Sequence, residues 1–264
     1  MNYENILLEE KPPIAIIRIN RPKVLNALNK ATANELYSAF QKCLNDEKIR
    51  VIVLTGEGRA FSAGGDVKGF KNAIDEGRQA EFISELTEIL HKLSYLIRTM
   101  SKPVIAAING FSMGAALNLA LACDILIAAD TAKLSEAFTN VGLAVDNGGT
   151  YLLPRLIGRA KALELILTGK TIDASEAERL GLINFSIPEA EFDKKIEEFA
   201  LKLANGPPEA MATSKKLVEE SYLNDFKTQL EKERENQIKI SLTEDFKEGV
   251  TAFFEKRTPK YKGK

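Results

Sequence analysis

The chain has few of the residues from which enzymes build a nucleophile or a metal site. Its 264 residues include one histidine, His91, and two cysteines, Cys43 and Cys123. Both cysteines lie in apolar, helix-like stretches without metal-ligand spacing, which predicts buried thiols in a reducing compartment. His91 shares its helix with charged neighbours and is predicted on the surface. A histidine-dependent nucleophile or a metal site is therefore not expected.

The chain also lacks an excess of basic or acidic residues. The 36 basic and 37 acidic residues leave a formal net charge of -1. This balance gives no electrostatic reason to expect nucleic acid or a membrane as a partner. No apolar run approaches the ~20 residues that a membrane-spanning helix needs, and the first residues show no signal or transit pattern. The sequence predicts a cytoplasmic protein.

The sequence does contain a change in periodicity along its length. Apolar, largely β-branched runs flank a turn at 11–13 and predict a hairpin. The short apolar run 51–54 predicts a strand buried on both faces, and the runs 104–108 and 125–128 predict two further strands. Helical patterns fall at 29–44, 83–97, 113–123 and seven times between 148 and 254. A functional loop with some helix is expected at 57–79. Strands and helices thus alternate first, and helices dominate later.

Two glycine-containing stretches each follow a predicted strand. Residues 60–66 (AFSAGGD) offer backbone N–H groups with few bulky side chains, and adjacent glycines let the main chain approach a ligand. Residues 109–116 (NGFSMGAA) end a strand and open a helix, where free N–H groups meet the positive end of the helix dipole. Brought together, they would offer two donors to an oxyanion. Each stretch alone fits a tight turn or close packing as well.

Six motifs in register resemble the crotonase (enoyl-CoA hydratase/isomerase) superfamily. They are NRPKVLNAL at 20–28, the 60–66 stretch, AAING at 106–110, CDI at 123–125, GGT at 148–150 and FFEKRTP at 253–259. The resemblance covers essentially the whole chain. It implies an α/β fold, with a ClpP-like spiral of strand-strand-helix turns over residues 1–200. A helical trimerisation region is implied over residues 201–264, in a homotrimer or a dimer of trimers.

The resemblance also implies how the chain holds its substrate, an acyl-CoA whose coenzyme A is part of the substrate, so that no cofactor is expected. The thioester oxygen would accept hydrogen bonds from the N–H groups of Gly65 and Ala115. The further substrate-binding positions are Lys23, Val24, Leu25, Ala63, Gly64, Asp66, Gly114 and Asn118. Lys23 fits a solvated surface charge equally well, and Asp66 is expected to fix its loop through backbone hydrogen bonds.

The reaction depends on which acids the site holds. Hydratases of the family use two glutamates, whose positions here carry Asn118 and Phe138, and this departure argues against an ordinary hydratase. Asp146 matches an aspartate of family isomerases, and the segment is closest in kind to the ring isomerase of phenylacetate breakdown. One carboxylate suffices to move a proton between two carbons while the oxyanion pair stabilises the dienolate.

The sequence therefore predicts an isomerase with Asp146 as its acid and base. It would convert 3-enoyl-CoA to 2-enoyl-CoA, or carry out the ring-type isomerisation of 1,2-epoxyphenylacetyl-CoA. Asp146 could instead cap the helix that begins near 148. Glu136 is a rival acid that could equally face solvent, and Asn118 could orient a ligand or be a satisfied buried amide.

Two other functions remain open: a hydratase, or a family member that binds CoA esters or RNA without catalysis. The mixed Lys and Glu pattern of the C-terminal helices does not favour an RNA-binding face. The apolar side of those helices, which carries Phe226, Leu230, Phe246 and Phe253, could pack on the chain's own core or form a subunit interface.

Overall fold

The computed structural model describes residues 3–264, which form two sheets surrounded by helices. The strands are β1 (Ile6–Lys11), β2 (Ile14–Ile19), β3 (Val51–Gly56), β4 (Ala60–Ser62), β5 (Val104–Ile108), β6 (Phe111–Met113), β7 (Ile125–Ala129), β8 (Lys133–Ser135), β9 (Thr171–Asp173) and β10 (Phe185–Ile187). The helices are α1 (Lys30–Asn45), α2 (Val67–Asp75), α3 (Gln79–Thr99), α4 (Ala115–Leu121), α5 (Gly149–Ile157), α6 (Arg159–Thr168), α7 (Ala174–Leu180), α8 (Phe192–Ala204), α9 (Pro208–Ser221), α10 (Phe226–Ile240) and α11 (Glu244–Glu255).

Three consecutive strand pairs give the chain its spiral path. The first strands of the pairs, β3, β5 and β7, lie in a six-stranded sheet of order β1-β2-β3-β5-β7-β10. The second strands, β4, β6 and β8, lie in a four-stranded sheet of order β4-β6-β8-β9. Neighbours within each set of three are parallel, so each pair repeats the path of the previous one a strand further on. The segments that follow β4 and β6 therefore leave the small sheet side by side.

The large sheet is buried on both faces, as its apolar strands predict. Successive residues of a strand point to opposite faces, and β3 shows the consequence. Ile52 and Leu54 pack in the main core, whereas Val51 and Val53 pack in a second core. Helix α8 covers this second core with four buried residues, Phe192, Ile196, Ala200 and Ala204. The predicted hairpin is also confirmed, with β1 and β2 antiparallel.

The structure corrects three features of the secondary-structure prediction. Residues 111–113 form β6, so the helix expected over 113–123 is the shorter α4. Residues 57–79 contain strand β4 and helix α2, so less of the segment is loop than expected. The later part of the chain also contains β8, β9 and β10, three-residue strands that are too short to produce a readable alternation. The expected boundary between residues 200 and 201 falls inside α8, which packs on the large sheet, and the two-region division stays a prediction.

The last helices leave their apolar side uncovered by the chain itself. Phe226 and Phe253 are 79% and 80% exposed, and Leu230 and Phe246 are about half exposed at 47% and 48%. Packing of this side on the chain's own core is therefore wrong, while a subunit interface stays a prediction. Across residues 3–264, no helix combines the length and the apolar character needed to cross a membrane.

Candidate active site

The segment after β4 is held against the segment before α1 by a short ladder of backbone hydrogen bonds. The N–H of Ala63 donates to the carbonyl of Leu25 over 2.8 Å, and the N–H of Leu28 donates to the carbonyl of Gly64 over 2.7 Å. The N–H of Asp66 then donates to the carbonyl of Leu28 over 3.0 Å. Two motifs that lie far apart in the sequence thus become one structural unit around Gly64.

An ion pair closes the end of this ladder. Arg21 Nη2 lies 3.0 Å from Asp66 Oδ2, and Arg21 Nη1 donates to the carbonyl of Ala27. The other oxygen of Asp66 accepts from the N–H of Gly69 over 3.4 Å and caps α2. Asp66 is engaged in fixing its loop, as expected. Lys23 and Val24 are exposed on the turn beside it, and Leu25 is partly buried.

The two glycine stretches meet behind this unit. A Cβ added at Gly64 would lie 2.5 Å from the carbonyl oxygen of Met113 and 3.7 Å from the amide nitrogen of Ala115. Gly64 also has a φ of +86°, which L side chains rarely adopt. Glycine is therefore required here because the backbone of one stretch touches the backbone of the other.

Two backbone donors remain without protein partners at this junction. Ala115 is the first residue of α4, where an N–H has no acceptor inside the helix. Among the described residues, neither its N–H nor that of Gly65 donates to a protein acceptor. Ala115 is buried and Gly65 partly buried. Two free donors on touching segments suit a developing oxyanion, and their convergence on one oxygen stays a prediction.

Asp146 lies in the loop before α5 and does not cap that helix. The N-cap of α5 is Gly148, and no side chain caps it. The Asp146 side chain is partly buried, and its Oδ1 is enclosed without a hydrogen-bond partner in residues 3–264. Burial raises the pKa of this carboxyl, and His91 opposes the rise. The capping alternative is therefore wrong.

Asn118, one turn into α4, joins Asp146 to a second acid. Its Nδ2 donates to the backbone carbonyl of Asp146 over 2.9 Å and to Glu136 Oε2 over 3.3 Å. Its Oδ1 is buried without a partner in the described structure, so Asn118 is not a fully satisfied amide. A Cβ added at Gly149 would lie 2.4 Å from the Asn118 Nδ2, which explains a glycine at that position.

Glu136 is fully buried, so the expectation that it could face solvent is wrong. Burial is the main reason that its pKa rises to about 8; the charge of Asp146 adds to the rise and the Asn118 hydrogen bond opposes it. Glu136 is therefore a second acid of the site, joined to Asp146 through Asn118. The local sequence held a signal, since Glu136 is the lone charged residue between the apolar Leu134 and Phe138.

Asn147 is a site residue that the sequence analysis missed. Its Nδ2 donates to the carbonyl of Ala115 over 3.1 Å, and its Oδ1 accepts from the hydroxyl of Ser94 over 2.8 Å. Its own N–H donates to His91 Nε2 over 3.4 Å. Asn147 is buried with a φ of 50°, a conformation that asparagine tolerates better than most residues. Asn147 thereby links the loop that carries Asp146 to the first residue of α4.

Phe138 and His91 lie next to this cluster, and the two cysteines are buried in the main core. The buried ring of Phe138 lies beside Gly114, where an added Cβ would be 3.6 Å from it. His91 is exposed, as predicted, although its Nε2 reaches Asn147. Cys43 and Cys123 are buried and unpaired. Among residues 3–264 there is no group of three or more His, Cys, Asp or Glu that could hold a metal ion.

Comparison with known proteins gives this site a family. Residues 9–264 match the family described as enoyl-CoA hydratase/isomerase. The chain belongs to that family. A probable enoyl-CoA hydratase of Rhodobacter capsulatus is 40% identical over 100% of both chains. The trans-2-decenoyl-[acyl-carrier-protein] isomerase of Streptococcus mutans is 32% identical, again over 100% of both.

Solved structures confirm the crotonase fold. The crystal structure of an enoyl-CoA hydratase from Bacillus anthracis has a TM-score of 0.93 and 36% identity, and the match covers 99% of this chain and 100% of that one. The relatives of this enoyl-CoA hydratase/isomerase family member thus carry both hydratase and isomerase names. The reaction has to be argued from the acids of the site.

Proposed function

We propose that the protein is an enoyl-CoA isomerase that moves an isolated double bond into conjugation with the thioester. The observation that supports this most directly is the state of Asp146. Its carboxyl is partly buried, does not cap a helix, and keeps an oxygen free of protein partners. The positions of the two hydratase glutamates carry Asn118 and Phe138 instead, so the usual pair that activates water is missing.

The proposed reaction moves one proton and one double bond. Asp146 removes a proton from C2 of a 3-enoyl thioester, and the electrons of that C–H bond pass into a dienolate. The N–H groups of Gly65 and Ala115 hold the dienolate oxygen. Asp146 then returns the proton to C4, which leaves a 2-enoyl thioester with no net change in composition. Burial, which raises the pKa of Asp146, makes it a better base than a solvated aspartate.

The substrate carrier would lie along the segment that the backbone ladder fixes beside Gly65. Lys23 is exposed on this segment and forms no ion pair with another described residue, so its ammonium is available to coenzyme A phosphates. Val24, Leu25 and Ala63 would line the pantetheine. The acyl group is either a linear 3-enoyl chain or the ring of 1,2-epoxyphenylacetyl-CoA.

We further propose that the enzyme acts as a cytoplasmic homotrimer or dimer of trimers without a resident cofactor. The exposed phenylalanines of α10 and α11 support an interface formed by residues 201–264, because large apolar side chains this exposed favour burial against another surface. Sedimentation of the purified chain would test the assembly.

A hydratase is the second candidate, and one observation favours it. Glu136 gives the site a second carboxyl, hydrogen-bonded to Asn118 and electrostatically coupled to Asp146. Two acids can in principle activate a water and protonate a carbon. The hydratase names of several relatives agree with this alternative.

One pair of assays separates the candidates. An isomerase supplied with 3-enoyl-CoA should produce the ultraviolet absorbance of the conjugated 2-enoyl thioester, and Asp146→Asn should slow this change by ~10²-fold or more. A hydratase supplied with 2-enoyl-CoA should instead remove that absorbance. The assays should span chain lengths, ring substrates and acyl-carrier-protein thioesters, since the Streptococcus mutans relative is named for the latter. Binding without either change would indicate a non-catalytic member of the family.

A further inference from the structure

The side chain of Glu136 lies in surroundings that suit a neutral acid and not an anion. It is fully buried, and within residues 3–264 no lysine, arginine or histidine forms an ion pair with it. Its one hydrogen-bond donor is the Asn118 Nδ2, at 3.3 Å, and that nitrogen also serves the carbonyl of Asp146 at the shorter distance of 2.9 Å. Glu136 Oε1 has no hydrogen-bond partner in the described part of the chain.

The buried Asp245 and the less enclosed Asp124 both have the donors that Glu136 lacks. Asp245, which is 4% exposed, accepts from the N–H groups of Lys262 and Gly263 over 2.6 and 2.8 Å. Asp124 accepts from the N–H of Val104 and pairs with a lysine. An anion buried with neither a cation nor good donors is strongly disfavoured. Glu136 has neither, so its surroundings stabilise the protonated form over the anion.

The atoms around Glu136 lead to the same conclusion. Three buried oxygens of the cluster have no donor in the described structure: Asn118 Oδ1, Glu136 Oε1 and Asp146 Oδ1. If both carboxyls were ionised, every one of these atoms would be an acceptor only. A proton on Glu136 supplies the cluster with a donor of its own and leaves the negative charge on Asp146 alone.

We propose that Glu136 is a neutral acid that positions Asn118 beside Asp146, and that loss of its proton at alkaline pH switches the site off. The second half rests on the isomerase function proposed above. An ionised Glu136 would place a second negative charge next to Asp146, where the dienolate must form, and would thereby oppose the transition state. As a positioning residue, Glu136 acts through Asn118 and needs no contact with the substrate.

The groups that act on Glu136 define the pH range. Burial raises its pKa to about 8, the Asp146 charge adds to the rise, and the Asn118 hydrogen bond opposes it. His91 in turn lowers the pKa of Asp146. Since the folded-state pKa is above the ordinary value of 4.5, the proton stabilises the folded protein. That stabilisation is complete below the ordinary value and is lost as the pH rises to about 8.

A thermal-unfolding experiment without substrate tests whether Glu136 is neutral in the folded protein. Glu136→Gln keeps the size and the neutral polar character of the protonated residue but cannot ionise. Between pH 5 and 8 the melting temperature of the variant should rise relative to wild type, and the difference should then level off. A constant difference across this range would overturn the inference.

Infrared spectroscopy of the wild type tests the same point if the variant does not fold. With isotope-labelled glutamate, the spectra should show a protonated carboxyl that titrates near pH 8. Absence of this carboxyl signal at pH 7 would overturn the inference.

The pH dependence of kcat/KM tests whether ionisation of Glu136 switches the site off. Wild type should lose kcat/KM above pH 8, whereas Glu136→Gln should retain the pH 7 value within about threefold and lose the alkaline decline. Glu136→Ala should lower kcat at least tenfold with little change in KM, because Asn118 loses its neighbour. Abolished turnover in Glu136→Gln at pH 7 would mean that Glu136 itself transfers the proton, and the positioning role would be wrong. An inactive wild type that still shows the pH-dependent stability difference would refute the isomerase function and leave the neutral acid intact.

Discussion

The two ends of helix α4 hold carboxyls in opposite kinds of surroundings. Beyond its C-terminal end, Asp124 Oδ2 accepts from the N–H of Val104 over 2.7 Å and from Lys215 Nζ over 2.8 Å. The same ammonium also donates to the carbonyls of Ile97 and Lys102. Lys215 Nζ thus has three acceptors, and the joint links α9 to α3 and β5.

At the N-terminal end the same helix leaves groups without partners. Within residues 3–264 the N–H of Ala115 has no acceptor, and Asn118, Glu136 and Asp146 each keep an enclosed oxygen without a donor. Burial raises the pKa of the carboxyls at both ends, but only Asp124 has a lysine to offset it. Unpaired buried polar groups lower stability. Their concentration at one end of the helix indicates a site that completes its hydrogen bonds with a ligand.

Among the variants that test this difference between the two ends of α4, Asp146→Asn should lose the most activity. As an amide, residue 146 cannot accept the proton, so isomerase activity should fall by ~10² to 10⁴-fold. The free energy of unfolding should stay within about 1 kcal/mol of wild type, because the side chain neither caps a helix nor forms an ion pair. Initial rates with 3-enoyl-CoA and urea unfolding measure the two effects.

The affinity for a CoA ester provides the control for Asp146→Asn and should remain within a few fold. If turnover survives in Asp146→Asn while Glu136→Gln abolishes it, the base is Glu136. That result would retain the isomerase and reverse the roles of the two acids.

Removal of one backbone donor at the same end should have the next largest effect. Gly65→Pro eliminates an N–H, and the rate should fall by ~10²-fold or more. The matched control is Gly65→Ala, which retains the N–H. Its Cβ would meet only the far end of the Phe70 ring, which can shift, so far more activity should remain. Equal losses in both variants would show that crowding, and not the missing donor, is responsible.

A substitution near the C-terminal end of α4 should lower the stability of the protein without lowering its activity. Asp124→Asn removes the charge that Lys215 faces, in a pair whose side chains are 25% and 12% exposed. We expect the free energy of unfolding to fall by about 2 kcal/mol, since breaking a partly buried pair leaves one charge uncompensated. Urea unfolding measures the loss. A decrease in kcat beyond twofold would contradict the separation between the two ends.

The smallest expected effect concerns Asn147, which braces the N-terminal end. Asn147→Gly removes the bonds to Ser94 and Ala115 while the backbone keeps its φ of 50° without strain. The loss of unfolding free energy should be about 1 kcal/mol, with a fall in kcat larger than the change in KM. Asn147→Ala should be less stable than Asn147→Gly, because alanine tolerates this conformation poorly. The opposite order would mean that the left-handed backbone is not retained.

Much of the fold could be predicted from local patterns. The β-branched runs around residues 11–13 predicted the hairpin, and the apolar run 51–54 predicted a strand buried on both faces. Strands β8 to β10 were missed because three residues are too few to show an alternation. The apolar side of the last helices was identified correctly, but its exposure depends on what the rest of the chain covers.

The candidate site was predicted unevenly. Gly64 and Gly114 marked the two backbone junctions, because a positive φ and close backbone contact favour glycine. Glu136 was misjudged, since one charged residue beside a short strand can point either way. Asn147 was missed entirely because its partners, Ser94 and Ala115, lie 53 and 32 residues away in the sequence.

The sequence by itself determined the alternation of strands and helices, the positions of the glycine stretches, and the absence of glutamate at 118 and 138. These properties depend on residue type and local spacing. Only the tertiary structure decided that Asp146 is free of the helix, that Glu136 is enclosed and that Asn118 joins the two. The charge of a carboxyl depends on its burial and on the donors around it, and here those donors come from segments brought together by the spiral.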